Sequence, residues 1–355
     1  MHEQSGKTDI RVFLGLFLGL VVVIGLVAVL KLDVTGRKGS GLGADFEYNI
    51  EQLAQIDPNL IIYEETAEPI NIGLSSTHAI AVNAENIFYV AGDSAVRVFD
   101  YSGSLLDEME LAEEPRCLAV VGEAGQENLY IGFKDHAEVY DSSGKSIARW
   151  DSLGEDAVLT SIAVWEDNIF VADAGNRIVL RYDTDGNIIN RIGAKDEDRN
   201  ISGFVIPSPY FDLTVGRDGL LWVVNPGVHL IEAYTFAGDR ELSWGEFSNG
   251  IEGFCGCCNP VNFAILPGND PTGANDSFVT CEKGLTRIKI YDPEGVLIGV
   301  VAGPEQLIEG GKVEICDTPE ECQIGGFDIT VDFEGRVLVL DTIKNLVKIF
   351  TRIEE

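Results

Sequence analysis

Histidine and methionine are scarce in this chain. Its 355 residues hold four histidines (His2, His78, His136 and His229) and two methionines. Imidazole is the commonest side-chain metal ligand and the usual proton shuttle near neutral pH, so a centre built from several histidines has too few to draw on. Basic residues are also few, 25 Lys and Arg against 58 Asp and Glu, for a formal charge of −33. Such a surface repels phosphate backbones and anionic headgroups, which argues against a nucleic-acid partner. No GxSxG, Walker A, GxGxxG or CxxCH stretch occurs. Nucleophile-elbow acyl transfer, P-loop or Rossmann nucleotide binding and covalent haem attachment therefore find no support.

One long apolar run is present, VFLGLFLGLVVVIGLVAVL at 12–30, flanked by Arg11 and Lys31. Nineteen residues at 1.5 Å rise make a helix of about 28 Å, close to the hydrocarbon thickness of a bilayer. The run exceeds a cleavable signal core of about 7–15 residues and no small-x-small site follows it. It predicts a single-pass anchor over 12–31, behind a short tail at 1–11. A polar linker at 32–58 then leads to the remaining domain, 59–355. Lys7 and Arg11 nearly balance Lys31, Arg37 and Lys38 across the span, so charge hardly sets orientation. The cysteines favour an extracytoplasmic domain.

After the linker one pattern recurs six times: a short apolar strand, a turn, a strand ending in an acidic or amide residue, and a strand ending in Tyr-Asp or a relative. Copies begin near His78, Cys117, Thr160, Phe211, Asn262 and Phe327. Each alternates apolar and polar positions with the period of a strand, and Asp185-Gly186, Asp218-Gly219 and Glu294-Gly295 read as hairpin turns. A period of about 40 residues early and 50–60 later marks four-stranded propeller blades. The expected fold is all-β, a six-bladed propeller. The sixth copy stops after three strands, so its outermost strand should come from LIIYEETAEPINIGL at 60–74 and close the ring.

At VADAGNRIVLRYDTDGN, residues 171–187, the chain resembles the NHL-repeat family of β-propellers, and the resemblance extends over about 60–350. The fourth copy departs from it by carrying Asn225 where the third has Asp173. The family includes interaction scaffolds, RNA-binding domains and a few lyases or hydrolases, so the resemblance implies fold more firmly than function. The RNA-binding members present a basic face, which this acidic chain lacks.

Three cysteines, Cys255, Cys257 and Cys258, fall within EGFCGCCNP at 252–260. This segment connects the fourth blade to the fifth. Cys281 ends the second strand of blade five, and Cys316 and Cys322 lie between blades five and six. Propeller geometry gathers these six at one rim. Disulfides bracing the long connections are the leading reading. A zinc or iron–sulfur site is the alternative, although CxCC is not the usual CxxC grip, and plain structural thiols are a third. Cys117 reads as a small buried hydrophobe.

The channel mouth should draw on His78, Arg116, Asp212, Asn262 and Asp328, which could hold a small polar ligand or simply fill a narrow channel. Asp173, Glu282 and Asp341 end second strands and read as turn-fixing residues. DTDGN at 183–187 begins like a calcium loop but lacks the rest of that pattern, and reads as a hairpin. No cofactor is indicated away from the cysteines. The expected role is a membrane-anchored platform presenting its cysteine-rich face to a protein partner or small ligand. A thiol redox or metalloprotein is the competing class and a channel-centred lyase or hydrolase the third.

Overall fold

The computed structural model describes residues 14–15, 17–21, 50–66, 68–123, 125–199, 201–311 and 326–354. The chain divides into two units, Met1–Asn49 and Ile50–Glu355. In the first, residues 14–15 and 17–21 are helical, with exposed Leu14, Phe17, Leu18, Leu20 and Val21. The rest of the expected anchor lies outside the described residues, among which no helix is long and apolar enough to cross a membrane.

The second unit is a six-bladed β-propeller. Blade one is β3–β6 (Thr77–Val82, Phe88–Gly92, Ala95–Phe99, Leu105–Glu110) and blade two β7–β10 (Cys117–Val121, Asn128–Gly132, Ala137–Asp141, Ser146–Arg149). Blade three is β11–β14 (Leu159–Trp165, Asn168–Asp173, Ile178–Tyr182, Ile188–Ile192) and blade four β15–β18 (Leu213–Val215, Leu221–Asn225, Leu230–Tyr234, Arg240–Trp244). Blade five is β19–β22 (Asn262–Leu266, Ser277–Glu282, Arg287–Tyr291, Leu297–Ala302). Blade six joins β23–β25 (Phe327–Val331, Val337–Asp341, Leu346–Arg352) to β1 (Tyr63–Glu65), and β2 (Ile70–Asn71) also pairs with β25. Neighbouring strands within each blade are antiparallel, and the innermost strands β3, β7, β11, β15, β19 and β23 touch their neighbours in a closed ring.

Each innermost strand starts within two residues of its copy of the recurrent sequence unit, and the N-terminal strand supplies the missing edge. Tyr63 pairs with Arg352 and Glu65 with Phe350. The compact unit begins at Ile50 rather than at 59. The reason is steric: Ile56 lies where a side chain on Gly303 would go, and Ile62 and the Leu60 carbonyl occupy the corresponding space at Gly299. Ile62 N–H also donates to the Val300 carbonyl at 3.0 Å.

Strand alternation explains why the disc holds together. Along β4, Phe88 and Val90 pack against Leu338, Leu340, Val347 and Ile349 of blade six. Tyr89 and Ala91 turn the other way, onto Leu118, Leu129 and Ile131 of blade two. Among the described residues the same division gives six apolar clusters, one at each junction between consecutive blades. Each fully buried aliphatic or aromatic side chain contributes about 1.5–3 kcal/mol. A blade alone would leave both of its faces wet.

The hairpins between third and fourth strands reuse one device. Asp100, Asp141, Asp183 and Asp292 each accept from the backbone N–H groups two and four residues on, at 2.8–3.1 Å. A glycine at positive φ follows three residues later: Gly103, Gly144, Gly186 and Gly295. The carboxylate satisfies turn amides and glycine takes the left-handed corner, so DTDGN is indeed a hairpin. The turns between second and third strands also repeat, with Asp93, Arg177, His229, Thr286 and Asn345 all at φ of 45–61°.

Candidate functional site

The cysteine-bearing connection starts at Trp244, where β18 ends, and returns to the ring at Val261. Its first half folds back on itself: Phe254 N–H donates to the Glu246 carbonyl at 2.8 Å, and Ser248 N–H to the Phe254 carbonyl at 3.1 Å. Beneath it lies a buried charge cluster on blade five. Arg287 grips Glu282 with two hydrogen bonds, Nε to Oε2 at 2.6 Å and Nη2 to Oε1 at 3.1 Å. Lys289 Nζ lies 3.2 Å from Glu282 Oε2. None of the three is more than 1% exposed.

These cations also hold the loop by its backbone. Lys289 Nζ donates to the carbonyls of Ile251 (3.1 Å) and Gly253 (2.6 Å), under the ring of Phe254 at 4.8 Å. Arg287 Nη1 donates to the Gly250 carbonyl at 3.3 Å. Glu282 completes the seam by accepting from Cys255 N–H at 2.8 Å. Burial pushes the Lys289 ammonium down, to about 8, against the pull of Glu282. Farther along, Asn259 donates to the carbonyls of Cys255 and Lys283 and accepts from Lys283 N–H at 2.9 Å. The peptide between Asn259 and Pro260 is cis.

The segment carrying Cys255, Cys257 and Cys258 thus sits over the turn that follows Cys281. Cys117, Cys257, Cys258 and Cys281 carry free thiols. Cys255 is buried, with its sulfur 3.5 Å from Asn249 Oδ1. Cys316 and Cys322 lie outside the described residues. Cys281 packs with Tyr63, Val261, Phe327 and Ile329 between blades five and six. Burial pushes its thiol and that of Cys117 well up. Among the described residues no three metal-ligating side chains converge.

The sulfurs of Cys257 and Cys258 are 3.3 Å apart, the first exposed and the second buried. Burial raises the Cys258 thiol, but hydrogen bonds from Ser208, Lys283 and Cys257 outweigh it and hold the group below its usual range. That bond to Cys258, with burial, pushes Cys257 up. Lys283 Nζ lies 3.0 Å from Ser208 Oγ and 4.5 Å from the centre of the Tyr210 ring. On the same loop face, exposed Phe247 meets the His229 ring at 5.2 Å, and His229 Nε2 lies 2.6 Å from the Gly256 carbonyl. Exposed Val205 and Val228 flank this contact, Val205 occupying the space beside Gly227.

His78, Arg116, Asp212, Asn262 and Asp328 lie in or next to the innermost strands, where Asp212, Asn262 and Asp328 tie one blade to the next. Asp212 Oδ2 accepts from Phe263 N–H of blade five at 2.9 Å, and Asp212 Oδ1 from Ser161 of blade three at 2.6 Å. Asn262 donates to the Phe327 carbonyl of blade six at 2.5 Å. Asp328 Oδ2 accepts from Ile80 N–H of blade one at 2.8 Å. His78 and Arg116 share Glu114, at 2.6 and 3.0 Å. Burial pushes the Asp212 carboxyl up to about 6. Burial and the Asp212 charge push Asp328 to about 8.

Asp173 and Asp341 fix turns as expected, accepting from Asn176 and from Ile343 and Lys344. Glu282 does more, and sequence reasoning missed its partners. The available signal was Arg287-Ile-Lys289-Ile-Tyr291, the third strand of blade five, whose alternation places two cations on the same face.

No protein-family model and no curated protein matches the chain. Solved structures do. One is a structural-genomics protein of unknown function from Bacteroides thetaiotaomicron, 16% identical, covering 81% of this chain and 73% of that one at TM-score 0.55. Another is a streptogramin B lyase, 12% identical, covering 82% of this chain and 98% of that one at TM-score 0.52. At such identities the likeness establishes the propeller fold alone.

Proposed function

We propose that this chain is a membrane-tethered propeller of the NHL type whose loop face over blades four and five is a docking platform for a protein partner. The observation that carries the reading is the rigid mounting of the 246–259 connection. A long loop costs conformational entropy to order, yet this one is fastened by Lys289, Arg287, Glu282 and Asn259. What it presents outward is Phe247, 58% exposed, beside Val205 and Val228. An aromatic anchor on a pre-ordered backbone is what a protein interface uses, because little ordering remains to be done on binding. The NHL assignment is supported by the Val-Ala-Asp strand end at Asp173 and the Asn176-Arg177 turn. The tether is supported by the uncharged run at 12–30. At the channel mouth, polar atoms already engaged between blades favour a structural role over catalysis.

Site-specific photo-crosslinking in cells of origin tests the platform. A crosslinker at Phe247 or Val228 is expected to give one discrete adduct, and the same group at Tyr101 or Phe333, in turns on the opposite face, none. Equal labelling from both faces, or none from either, overturns it. Alkaline carbonate extraction of the full chain and of a chain starting at residue 50 tests the tether separately. Only the full chain should stay with the membranes.

A further inference from the structure

The docking platform leaves unused the sulfur pair beside it. We infer that Cys257 and Cys258 form a vicinal dithiol site that chelates a trivalent, thiol-seeking main-group centre of the arsenous acid class. The sulfurs lie 3.3 Å apart on adjacent residues. Cys257 is exposed and Cys258 buried, so a small ligand meets the outer sulfur first and then closes onto the inner one.

The separation selects the kind of centre. A thiolate sulfur lies about 2.3 Å from a bound zinc, and bonds from sulfur to arsenic are of similar length. Two bonds of about 2.3 Å hold their sulfurs about 4.6 Å apart when opposite, about 3.8 Å at the tetrahedral angle and about 3.3 Å near a right angle. Three-bonded arsenic carries a lone pair and bonds at nearly right angles, so the pair already stands at the required spread. The chelate needs these two sulfurs alone. Its third position can hold a hydroxide, an organic group or a further sulfur without changing the argument. A direct bond between the sulfurs fits less well. It needs about 2.05 Å, and neighbouring Cα atoms about 3.8 Å apart fall short of the roughly 4.4–6.8 Å that disulfides span.

The surroundings prepare the pair for this chemistry. Ser208 and Lys283 hydrogen-bond toward the Cys258 sulfur. The Lys283 ammonium, 3.0 Å from Ser208 Oγ and 4.5 Å from the centre of the Tyr210 ring, favours the thiolate that attacks arsenic. The segment is clamped on both sides, by Cys255 N–H on Glu282 and by Lys283 N–H on Asn259, so little ordering remains on binding. In the reaction each of two arsenic–oxygen bonds is exchanged for an arsenic–sulfur bond. The thiol protons leave with the displaced oxygens as water, arsenic stays trivalent and no electron is transferred.

The test uses the full chain isolated under argon without added reductant, with phenylarsine oxide as the probe and intact mass as the readout. That probe has two exchangeable positions, so its retention reports a pair of sulfurs whatever lies beyond them. Wild type should retain the probe in excess mercaptoethanol, release it to dimercaptopropanol, and have two thiols shielded from iodoacetamide while it is bound. In Cys257→Ser the retained adduct should fall at least tenfold, because loss of a mere outer partner of a bound centre already costs about 10–100-fold. Cys258→Ser should match it, and Cys117→Ser should behave as wild type. Cys257 is exposed, so its serine variant should keep the wild-type unfolding midpoint and serves as the deciding comparison if Cys258→Ser folds poorly. Equal retention by wild type and Cys257→Ser overturns the site. So does an adduct that mercaptoethanol strips from wild type, or no uptake by the protein as isolated.

Discussion

Arg287 closes a two-pronged ion pair on Glu282 inside the propeller, where neither side chain is more than 1% exposed. Removing one partner of such a pair leaves an uncompensated buried charge and costs about 3–5 kcal/mol. Glu282→Gln strands Arg287 and Lys289 and also weakens the Cys255 N–H contact. Urea unfolding should show a stability loss of that size. The loop above should loosen with it, seen as faster alkylation of Cys258 under native conditions. A wild-type urea midpoint would show that the loop does not depend on this cluster.

Asp328 makes stability depend on pH in an unusual direction. Its carboxyl is raised to about 8 in the folded ring by burial and by Asp212, against about 3.9 in an unfolded chain. The folded state therefore holds a proton that the unfolded state has lost between these values. Its contribution is fully present below about pH 4 and disappears as pH rises toward 8. Asp328→Asn should flatten that slope, giving a melting temperature at pH 8–9 equal to or above wild type. Thermal melts of both chains from pH 5 to 9 check it, and parallel curves would contradict the assignment.

Gly175 in the third blade's Ala-Gly-Asn turn has no room for a side chain, because the Asp156 carbonyl occupies the space a Cβ would need. The obstacle is backbone, so it cannot swing aside. Gly175→Ala should destabilise by about 1–3 kcal/mol through this overpacking. Gly284→Ala is a useful comparison: it meets no atom within 4 Å, although its φ of 83° remains unfavourable to alanine. The clash at Gly175 predicts the lower melting temperature of the two.

Tyr63 carries the seam between the two ends of the propeller. It is buried among Val279, Phe327 and Phe350, and its hydroxyl donates to the Gly335 carbonyl at 3.2 Å. Tyr63→Ala should cost about 3–5 kcal/mol, the range for removing a large buried aromatic. Hydrogen exchange should localise the loosening to β25 and β23 rather than to blades two and three. Uniform loosening around the ring would mean that closure is shared by all junctions.

Most of the fold could be read from the chain because each blade repeats the same local chemistry. Period-two alternation, Asp followed three residues later by glycine, and turns after Asp173 or Asp341 recur often enough to register the strands. The closing strand was legible by subtraction, since the sixth copy lacks one. The site was less so. Glu282 reads as a turn residue until Arg287 and Lys289 are seen to point the same way from the adjoining strand. A one-residue step along a strand reverses the side chain, so on one strand Glu282 meets the loop backbone while Cys281 packs toward blade six. The inner-ring polar residues could be located from sequence, while the neighbouring blade's backbone that engages them could not.

The pairing of Tyr63–Glu65 with Leu346–Arg352 also has a temporal consequence. During synthesis the N-terminal strand emerges first and must wait, unpaired, until the last blade is made. Until β25 is made, the ring keeps two bare strand edges, and only the pairing of the first strand with the last covers both.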